Sequence, residues 1–336
     1  MRRLPVYLVL DSSESTLGEA HDSIVLGVAK MLETLRRNPY ALETVWLSVI
    51  TFDAKARVVT PLTDICEFIP PNFKIHPGTA LGQAVDLLRE RLGREVVRTT
   101  ADQKGDWKPL VFFLTDGQPT DEWQAAVQRF KASRPRPAHV CAIGVGDDVD
   151  FSVLKEIADE TYKLDASSEA ELPALFNRLF VWLSASVNTT SRALDDNPRM
   201  EDALPPGVSL VKDDAPRPCK SPFPKQIFIR RICSGNGKDF LVRLTFNGQL
   251  YENARVFKVE KDFFTEGNLE APTIPVELMY DESRCPYCNN FHVFHCSCGA
   301  MLCHDRDSAV VCPRCGQTAH PGGFGAFRGG IQTSEG

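Results

Sequence analysis

The sequence has no long hydrophobic run. Nothing in its 336 residues approaches the roughly 18 consecutive apolar residues that a membrane span requires. The apolar stretch near the N-terminus is interrupted at Asp11, too early for the core of a secretory signal, and no small-residue cleavage site follows it. We therefore expect neither a membrane protein nor a secreted one, and the expected location is the cytoplasm.

The sequence also lacks an excess of positive charge. It carries 38 basic against 44 acidic residues, a net charge of -6, so the molecule as a whole is not expected to bind nucleic acid. A hydrophobic fraction of 43% excludes collagen-like, coiled-coil and wholly disordered chains. No solenoid-type repeat is visible, and the length predicts two or three folded units.

Cysteine is scarce over the first 280 residues and abundant afterwards. Seven of the eleven cysteines lie between residues 285 and 315. A disulfide framework would need a secreted context, so the cluster predicts a metal site. The remaining four, namely Cys66, Cys141, Cys219 and Cys233, are expected to be plain buried or surface thiols.

Short apolar runs alternate with stretches of helical period over the first 190 residues or so. The predicted strands are Val6–Leu10, Val45–Phe52, Leu110–Leu114 and Val140–Val145, with an antiparallel edge hairpin at Lys55–Leu62. Five helices are predicted, two around residues 24–35 and 81–92 and three at 122–132, 151–160 and 171–187. Continuous apolar strands are typical of a sheet covered on both faces, so residues 1–192 are predicted to form a doubly wound α/β domain with a mostly parallel sheet.

The periodicity stops after this domain. Residues 193–225 are predicted to be a proline-rich linker, and residues 226–280 a small, basic, antiparallel β-rich segment. Residues 281–320 form a cysteine-rich, zinc-ribbon-like module, and residues 321–336 are expected to be a flexible glycine-rich tail. Residues 217–261 hold ten basic against three acidic residues. A solvated surface is the favoured interpretation, while a docking face for an acidic or phosphorylated partner and a nucleic-acid site stay open.

Five oxygen-bearing side chains are predicted to meet at the carboxyl ends of the strands, where ligands bind in open α/β sheets. They are Asp11, Ser13, Ser15, Thr79 and Asp116. Two carboxylates and three hydroxyls suit Mg²⁺, with Mn²⁺ or Ca²⁺ as alternatives. No imidazole or thiolate belongs to the set, so zinc is not expected there.

An enzyme is the alternative interpretation of the same residues. A metal-dependent phosphohydrolase could use Asp11 as its nucleophile together with Asp116, but Ser13 stands where a second carboxylate or a lysine would be needed. No Gly-x-Ser-x-Gly elbow occurs, and His21 and His76 have no evident orienting partner. We predict no catalytic residues and no organic cofactor.

Two Cys-x-x-Cys knuckles predict a closed structural zinc site, because two thiolate pairs complete a tetrahedron. The expected tetrad is Cys285, Cys288, Cys312 and Cys315. Candidates for a second zinc are Cys296, Cys298, Cys303 and His304. One ion with free inner thiols, or a scheme joining Cys298 and Cys303 to the second knuckle, stays open because spacing does not fix pairing.

The Asp-x-Ser-x-Ser motif after the first strand, with Thr79 and the Asp116-Gly117 pair, resembles the metal-ion-dependent adhesion site (MIDAS) of von Willebrand factor A domains. The resemblance covers residues 1 to about 190. It implies that a divalent cation keeps one coordination position open for an acidic side chain of a partner. Glu14 stands where many members of that family have glycine, and either tuning of metal affinity or self-ligation would follow.

The two modules in this order resemble tellurium-resistance proteins of the TerY type. The stretches Met1–Leu8 and Asn38–Val45 and the two knuckles carry this resemblance, whereas the basic segment has no evident place in it. It implies a bacterial cytoplasmic adaptor of the tellurite and chemical-stress response, with a protein kinase and a metal-dependent protein phosphatase as partners. The predicted function is therefore non-enzymatic, metal-dependent protein binding.

Overall fold

The structure is a computed structural model that divides into two compact units, residues 1–219 and 220–336. The described residues are 2–116, 118–133, 138–146, 149–165, 171–193, 196, 198–211, 223, 226–260, 263–264, 273–304, 309–319, 331–332 and 334–335. Gly117, Cys219, about half of the expected linker and twelve of the sixteen residues of the expected tail lie outside them.

A seven-stranded sheet forms the centre of the first unit, in the order β3-β2-β1-β4-β5-β6-β7. Its strands are β1 (Leu4–Asp11), β2 (Val45–Phe52), β3 (Ala56–Asp64), β4 (Leu110–Thr115), β5 (His139–Val145), β6 (Glu160–Leu164) and β7 (Val208–Leu210). The five strands from β2 to β6 in this order are parallel, and the edge strands β3 and β7 are antiparallel to their neighbours. The predicted doubly wound, mostly parallel fold and its antiparallel edge hairpin are confirmed.

Helices cover both faces of this sheet. They are α1 (Glu19–Arg36), α2 (Pro39–Thr44), α3 (Leu81–Glu95), α4 (Trp123–Ala132), α5 (Phe151–Ile157) and α6 (Leu172–Ala193). One apolar core joins the sheet to α1, α2 and α6, and the other joins it to α3, α4 and α5. The chain therefore builds three layers around two cores.

Strand β1 shows why the central strands read as unbroken apolar runs. All eight of its residues are buried. Val6 and Leu8 contribute to the core under α1 and α6, whereas Tyr7 and Val9 contribute to the opposite core. Because successive side chains point to opposite faces, a strand between two helical layers needs apolar residues at every position.

The strand order reverses next to β1. The chain adds β2 and β3 on one side of β1, then places β4, β5 and β6 on the other. Such a reversal leaves a crevice beyond the carboxyl ends of the two strands that flank it. The loops after β1 and β4, which begin near Asp11 and Asp116, therefore lie beside each other.

Helices α1 and α6 pack so closely that residue 27 must be glycine. A Cβ atom added to Gly27 would lie 2.1 Å from Cδ2 of Phe180, whose ring is buried in the core. We expect Gly27→Ala to lower the free energy of unfolding by about 1–3 kcal/mol, the usual cost of overpacking. Urea denaturation of the full chain measures it.

Gly93 provides the matched control for this substitution. It lies in helix α3, and a Cβ there would meet no atom within 4 Å. Gly93→Ala should therefore stabilise the protein by about 0.4–1 kcal/mol, since alanine restricts the unfolded chain. Equal effects of the two substitutions would contradict the described packing.

The second unit contains a separate mixed sheet. It is built from β8 (Gln226–Cys233), β9 (Asp239–Phe246), β10 (Tyr251–Lys258), β12 (His292–His295), β13 (Met301–His304) and β17 (Ser334–Glu335). Two short pairs complete the unit, namely β11 (Thr273–Ile274) with β16 (Ile331–Gln332) and β14 (Val310–Val311) with β15 (Thr318–Ala319). Strand β13 runs parallel to β8, and the other pairings are antiparallel.

The expected division at residue 280 is not a boundary in the structure. Strands β8–β10 of the basic segment and strands β12–β13 of the cysteine-rich module belong to the same sheet. Part of the expected linker is also ordered with the first unit, because β7 pairs with β6. Proline-rich composition and a change in cysteine density therefore misplaced both limits.

Membrane insertion of a helix finds no support in the part of the chain that the structure describes. None of its helices is both long and apolar enough to cross a bilayer.

Candidate metal centres

The carboxylate of Asp11 lies at the end of β1, against the end of β4. Its Oδ2 atom accepts a hydrogen bond from the Thr115 hydroxyl at 2.5 Å, and its Oδ1 atom accepts one from the main-chain N–H of Ser13 at 2.9 Å. Asp11 has only 1% of its surface exposed. These contacts fix the orientation of a buried carboxylate at the crevice.

The hydroxyls of Ser13 and Ser15 connect the first loop to Asp116. Ser15 donates its proton to Oδ1 of Asp116 at 2.6 Å, and the two serine oxygens are 2.8 Å apart. Because the Ser15 proton is engaged with Asp116, Ser13 is the donor to Ser15. The structure thus brings four of the five predicted oxygen ligands into one hydrogen-bonded set.

Thr79, the fifth predicted residue, lies buried on the second loop. Its main-chain N–H donates to the Thr120 hydroxyl at 2.9 Å, and its carbonyl accepts from the Thr120 N–H at 3.0 Å. These bonds hold the second loop against the loop that follows β4. The three loops that carry the predicted ligands are therefore joined to one another.

The electrostatics of this set suit a divalent cation. Burial, and then the neighbouring Asp116 carboxylate, raise the pKa of Asp11 to about 7. Two carboxylates that repel each other in a buried place are stabilised by a positive charge between them. With three hydroxyls and no thiolate or imidazole, the donor set fits Mg²⁺, Mn²⁺ or Ca²⁺.

Glu14 connects the first and second loops. Its side chain is buried, and Oε2 accepts a hydrogen bond from the main-chain N–H of Gly78 at 2.8 Å. Gly78 has a φ of +103°, which glycine adopts without strain. The Glu14 carboxylate therefore stabilises the loop that carries Thr79.

We expect Glu14→Gln to weaken Mg²⁺ binding by less than about tenfold, because the amide oxygen still accepts the Gly78 bond and only the nearby charge is lost. Calorimetric titration with Mg²⁺ measures the change. A loss of about 100-fold or more would instead identify Glu14 as a metal ligand.

Sequence reasoning missed Asp53, which lies directly after β2. Its Oδ2 atom is 2.9 Å from Nδ1 of His76 and accepts from Arg57 at 2.7 Å, and its carbonyl accepts from the Ala80 N–H at 2.7 Å. His76 in turn donates its main-chain N–H to the Ser12 carbonyl at 3.1 Å. Asp53 therefore links the first two metal-site loops from behind.

His76 thus has the orienting partner that the sequence did not reveal. The nearby Ser12 hydroxyl donates its hydrogen bond to Asp53, at 3.4 Å, and not to His76. His21, by contrast, contacts the Phe73 carbonyl through Nε2 at 2.9 Å. Among the residues that the structure describes, neither histidine is paired with a serine hydroxyl in the manner of a nucleophile and its base.

The cysteines of the second unit form two clusters of four. The first cluster comprises Cys233, Cys285, Cys288 and Cys303, and the second comprises Cys296, Cys298, Cys312 and Cys315. Within each cluster the sulfur atoms lie within 4.8 Å of one another. Sulfur–sulfur distances of 3.4 Å (Cys288 to Cys303), 3.5 Å (Cys296 to Cys315) and 3.7 Å (Cys298 to Cys312) occur in them.

These distances fit tetrahedral zinc. Two sulfurs bound to one ion at about 2.3 Å are separated by about 3.8 Å at the tetrahedral angle. The main-chain N–H of Cys298 lowers the pKa of Cys296 to about 7, which favours the thiolate that binds metal. Each cluster can therefore hold one structural zinc ion.

A buried arginine accompanies the first cluster. Arg231 forms an ion pair with Asp281 and donates to the Ser283 hydroxyl at 3.0 Å. Burial lowers its pKa, while Asp281 and then the thiols of Cys303 and Cys285 act in the opposite direction. Since four thiolates around Zn²⁺ leave two negative charges, the guanidinium partly compensates them.

The predicted tetrad of the two knuckles is therefore wrong. Cys285 and Cys288 belong to one cluster, and Cys312 and Cys315 belong to the other. The sheet explains this division of the knuckles. Strand β13 pairs in parallel with β8 and sets Cys303 opposite Cys233, so these two strand cysteines complete the first cluster. The schemes with one ion or with an interleaved Cys298 and Cys303 do not describe this arrangement either.

Two further expectations need correction. Cys233, predicted to be a plain thiol, belongs to the first cluster, and His304, predicted to be a zinc ligand, belongs to neither cluster. His304 is buried instead on β13 opposite His292, with their ring centroids 5.7 Å apart. Cys66 and Cys141 lie outside both cysteine clusters, the first exposed and the second in the core as predicted.

Some of the basic residues of the 217–261 segment are buried inside the second unit. Arg231 is buried, and Arg243 is buried with its guanidinium 5.5 Å from the centre of the Phe257 ring. Arg230 is paired with Asp239 at 2.8 Å. These positions do not present free positive charges to a nucleic acid.

Family models match both parts of the chain. The model of the von Willebrand factor type A domain matches residues 6–178, more than half of the chain, so the chain belongs to the von Willebrand factor type A family. The model of the TerY-C metal binding domain matches residues 231–332. That match includes most of the basic segment, for which the sequence alone gave no place.

Several solved structures are similar to this chain. Proximal thread matrix protein 1 from the mussel byssus, with a zinc occupied MIDAS motif, is 21% identical over 55% of this chain and 48% of its own, with a TM-score of 0.39. A von Willebrand factor type A protein from Catenulispora acidiphila is 17% identical over 55% and 43%, with a TM-score of 0.39.

The pilus adhesin SpaC from Lactobacillus rhamnosus GG, in an open conformation, is 14% identical over 69% of this chain and 32% of its own, with a TM-score of 0.43. This chain thus spans half or less of the length of these proteins. No curated protein matches it.

Proposed function

We propose that this protein is a non-enzymatic adaptor that binds a protein partner through a Mg²⁺ ion held by Asp11, Ser13, Ser15, Thr79 and Asp116. The observation that carries the proposal is the hydrogen-bonded set of Asp11, Ser13, Ser15 and Asp116 at the switch point of the sheet. When bound, the ion supplies an electrophilic position for an incoming carboxylate.

The residues of this chain prepare that position before a partner arrives. Thr115 and the main chain of Ser13 hold Asp11 in place, and Ser15 holds Asp116. The hydroxyls of Ser13, Ser15 and Thr79 are uncharged ligands, so they leave the cation more electrophilic than three further carboxylates would. An acidic residue of the partner can therefore still coordinate it.

The same contacts argue against a nucleophilic role for Asp11. Both of its carboxylate oxygens accept hydrogen bonds, one from Ser13 and one from Thr115. These bonds hold Asp11 as a fixed ligand, and Ser13 stands where a nucleophilic aspartate would need a second carboxylate or a lysine. Binding, and not phosphoester hydrolysis, is the function that this geometry supports.

We infer the biological setting from the combination of the two domains. A von Willebrand factor type A domain followed by a TerY-C domain supports a role in the tellurite and chemical-stress response, with a protein kinase and a metal-dependent protein phosphatase as the partners. The zinc-bearing unit then provides a second contact surface. Nucleic acid and membrane are not proposed as partners.

Affinity capture from the native host tests this setting. Tagged full-length protein is incubated with lysate in Mg²⁺ or in a chelator of Mg²⁺, and the bound proteins are identified by mass spectrometry. We expect a kinase or a phosphatase to be captured in Mg²⁺ and lost in the chelator. Capture that is equal in both conditions would contradict the metal-dependent role.

A further inference from the structure

A third group of metal-binding side chains lies in the first unit, away from Asp11. His139 and Cys141 are two residues apart on β5, and Glu160 is the register partner of Cys141 on the parallel neighbour β6. Residues two apart on a strand, and register partners on adjacent strands, point to the same face of a sheet. An imidazole, a thiol and a carboxylate therefore project together from the sheet.

Their ligand atoms are close enough for one ion. A nitrogen of His139, the sulfur of Cys141 and an oxygen of Glu160 lie within 4.8 Å of one another. Nε2 of His139 is 3.2 Å from Oε1 of Glu160. Two ligands held at about 2.1 Å from one tetrahedral ion are separated by about 3.4 Å, so this distance fits shared coordination.

The thiol of Cys141 is the unusual member of the group. It has no exposed surface and, among the described residues, makes no hydrogen bond. Burial, followed by the negative charges of Glu160 and Asp159, raises its pKa well above the usual value. The His139 imidazole lies beside the same two carboxylates, 3.2 Å from Glu160 and 3.8 Å from Asp159. A metal ion bound to His139, Cys141 and Glu160 would stabilise the thiolate form of this buried sulfur.

The cluster is partly exposed to solvent. The Glu160 side chain is 35% exposed and that of His139 is 14% exposed, so an ion can enter past Glu160. On the other side, the Tyr162 hydroxyl donates to Oε2 of Glu160, and the Tyr162 ring packs edge-on against Trp182. These contacts hold the carboxylate in position.

We propose that His139, Cys141 and Glu160 form a third metal site that binds a borderline-soft divalent cation such as Zn²⁺ or Co²⁺. A neutral imidazole, a thiolate and a carboxylate balance the two positive charges, so the bound ion adds no net charge at the edge of the core. Binding releases the thiol proton to solvent. His139 and Glu160 begin the parallel strands β5 and β6, whereas Asp11 ends β1. The proposed site therefore lies at the amino ends of the parallel strands, and the oxygen site lies at their carboxyl ends.

Titration with Co²⁺ tests the proposal, because thiolate ligands give Co²⁺ a charge-transfer absorption that oxygen ligands do not. The full chain is used with zinc at both cysteine clusters and with excess Mg²⁺ to occupy the oxygen site. Wild type should bind one Co²⁺ with this absorption. Cys141→Ser should lose the absorption, and His139→Gln should weaken Co²⁺ binding by at least about tenfold.

Cys66→Ser is the matched control, since Cys66 is an exposed cysteine outside all three clusters, and it should bind Co²⁺ as wild type does. His139→Gln leaves the buried core intact, so it remains informative if Cys141→Ser is unstable. The proposal is overturned if wild type shows no thiolate absorption, or if both cluster variants titrate like wild type.

Discussion

Replacing Asp116 by alanine is expected to weaken Mg²⁺ binding by at least about 100-fold. The substitution removes one of only two carboxylates in the oxygen site and also the acceptor of the Ser15 hydroxyl. Loss of an outer-shell partner alone costs about 10- to 100-fold in metal affinity, so loss of a direct ligand should cost more. Calorimetric titration of the full chain with Mg²⁺ measures the effect.

Asp102→Ala is the matched control, because Asp102 is an exposed acidic residue that precedes β4, whereas Asp116 follows the other end of that strand. Its Mg²⁺ affinity should equal that of wild type. Circular dichroism establishes that both variants are folded. Mg²⁺ binding by Asp116→Ala that is as tight as in wild type would contradict the assignment of the site.

Replacing Cys233 by serine is expected to remove one of two structural zinc ions and to unfold much of the second unit. The two apolar cores of that unit are small, and each includes cysteines of its own cluster. Structural zinc supplies about 10–16 kcal/mol to domains of this kind, far more than a small core provides alone. Elemental analysis should find one zinc ion fewer per chain in the variant than in wild type, whatever the occupancy of the His139 site.

His304→Gln distinguishes the observed pairing from the one expected from sequence. If the first cluster is completed by Cys233, this variant keeps as many zinc ions as wild type, and so does Cys66→Ser. Limited proteolysis should cut the second unit of Cys233→Ser and leave the first unit intact. A wild-type zinc content in Cys233→Ser, or the loss of one zinc ion in His304→Gln, would refute the pairing.

Much of the fold could be predicted because its strands are buried on both faces. Val45–Phe52 was predicted with its observed limits, since a short, mostly apolar run rich in β-branched residues is typical of a strand between two helical layers. Strand β6 (Glu160–Leu164) was missed because Glu160 and Lys163 interrupt its apolar residues and a helix ends just before it. Helix α2, which begins after Asn38, was missed because six residues are too few for a helical period.

The oxygen site could be predicted because its residues follow strand ends in order. Once β1 and β4 are adjacent, Asp11 and Asp116 must approach each other, so topology alone brings them together. The supporting residues Asp53 and Glu14 act through hydrogen bonds to main-chain groups on other loops. Such bonds depend on the loop paths, which the sequence does not specify.

The zinc pairing could not be predicted from spacing. Cys233 lies far from the knuckles in sequence and reaches Cys303 only through a parallel strand pair, which no local pattern indicates. One signal was nevertheless available. A glycine follows four residues after Cys233 and after Cys312, namely Gly237 and Gly316. Each glycine has a positive φ and donates its main-chain N–H to the carbonyl of the cysteine. A Cys-x-x-x-Gly turn marked Cys233 as a member of the knuckle class.

The most direct test of the central claim is the affinity of wild type and Asp116→Ala for a partner captured from the native host, measured in Mg²⁺ and in a chelator of Mg²⁺. Tight binding by wild type in Mg²⁺ alone, with a loss of about 100-fold or more on chelation or on substitution, is the predicted result. Binding that is equally tight in all four conditions would show that the oxygen site does not hold the partner.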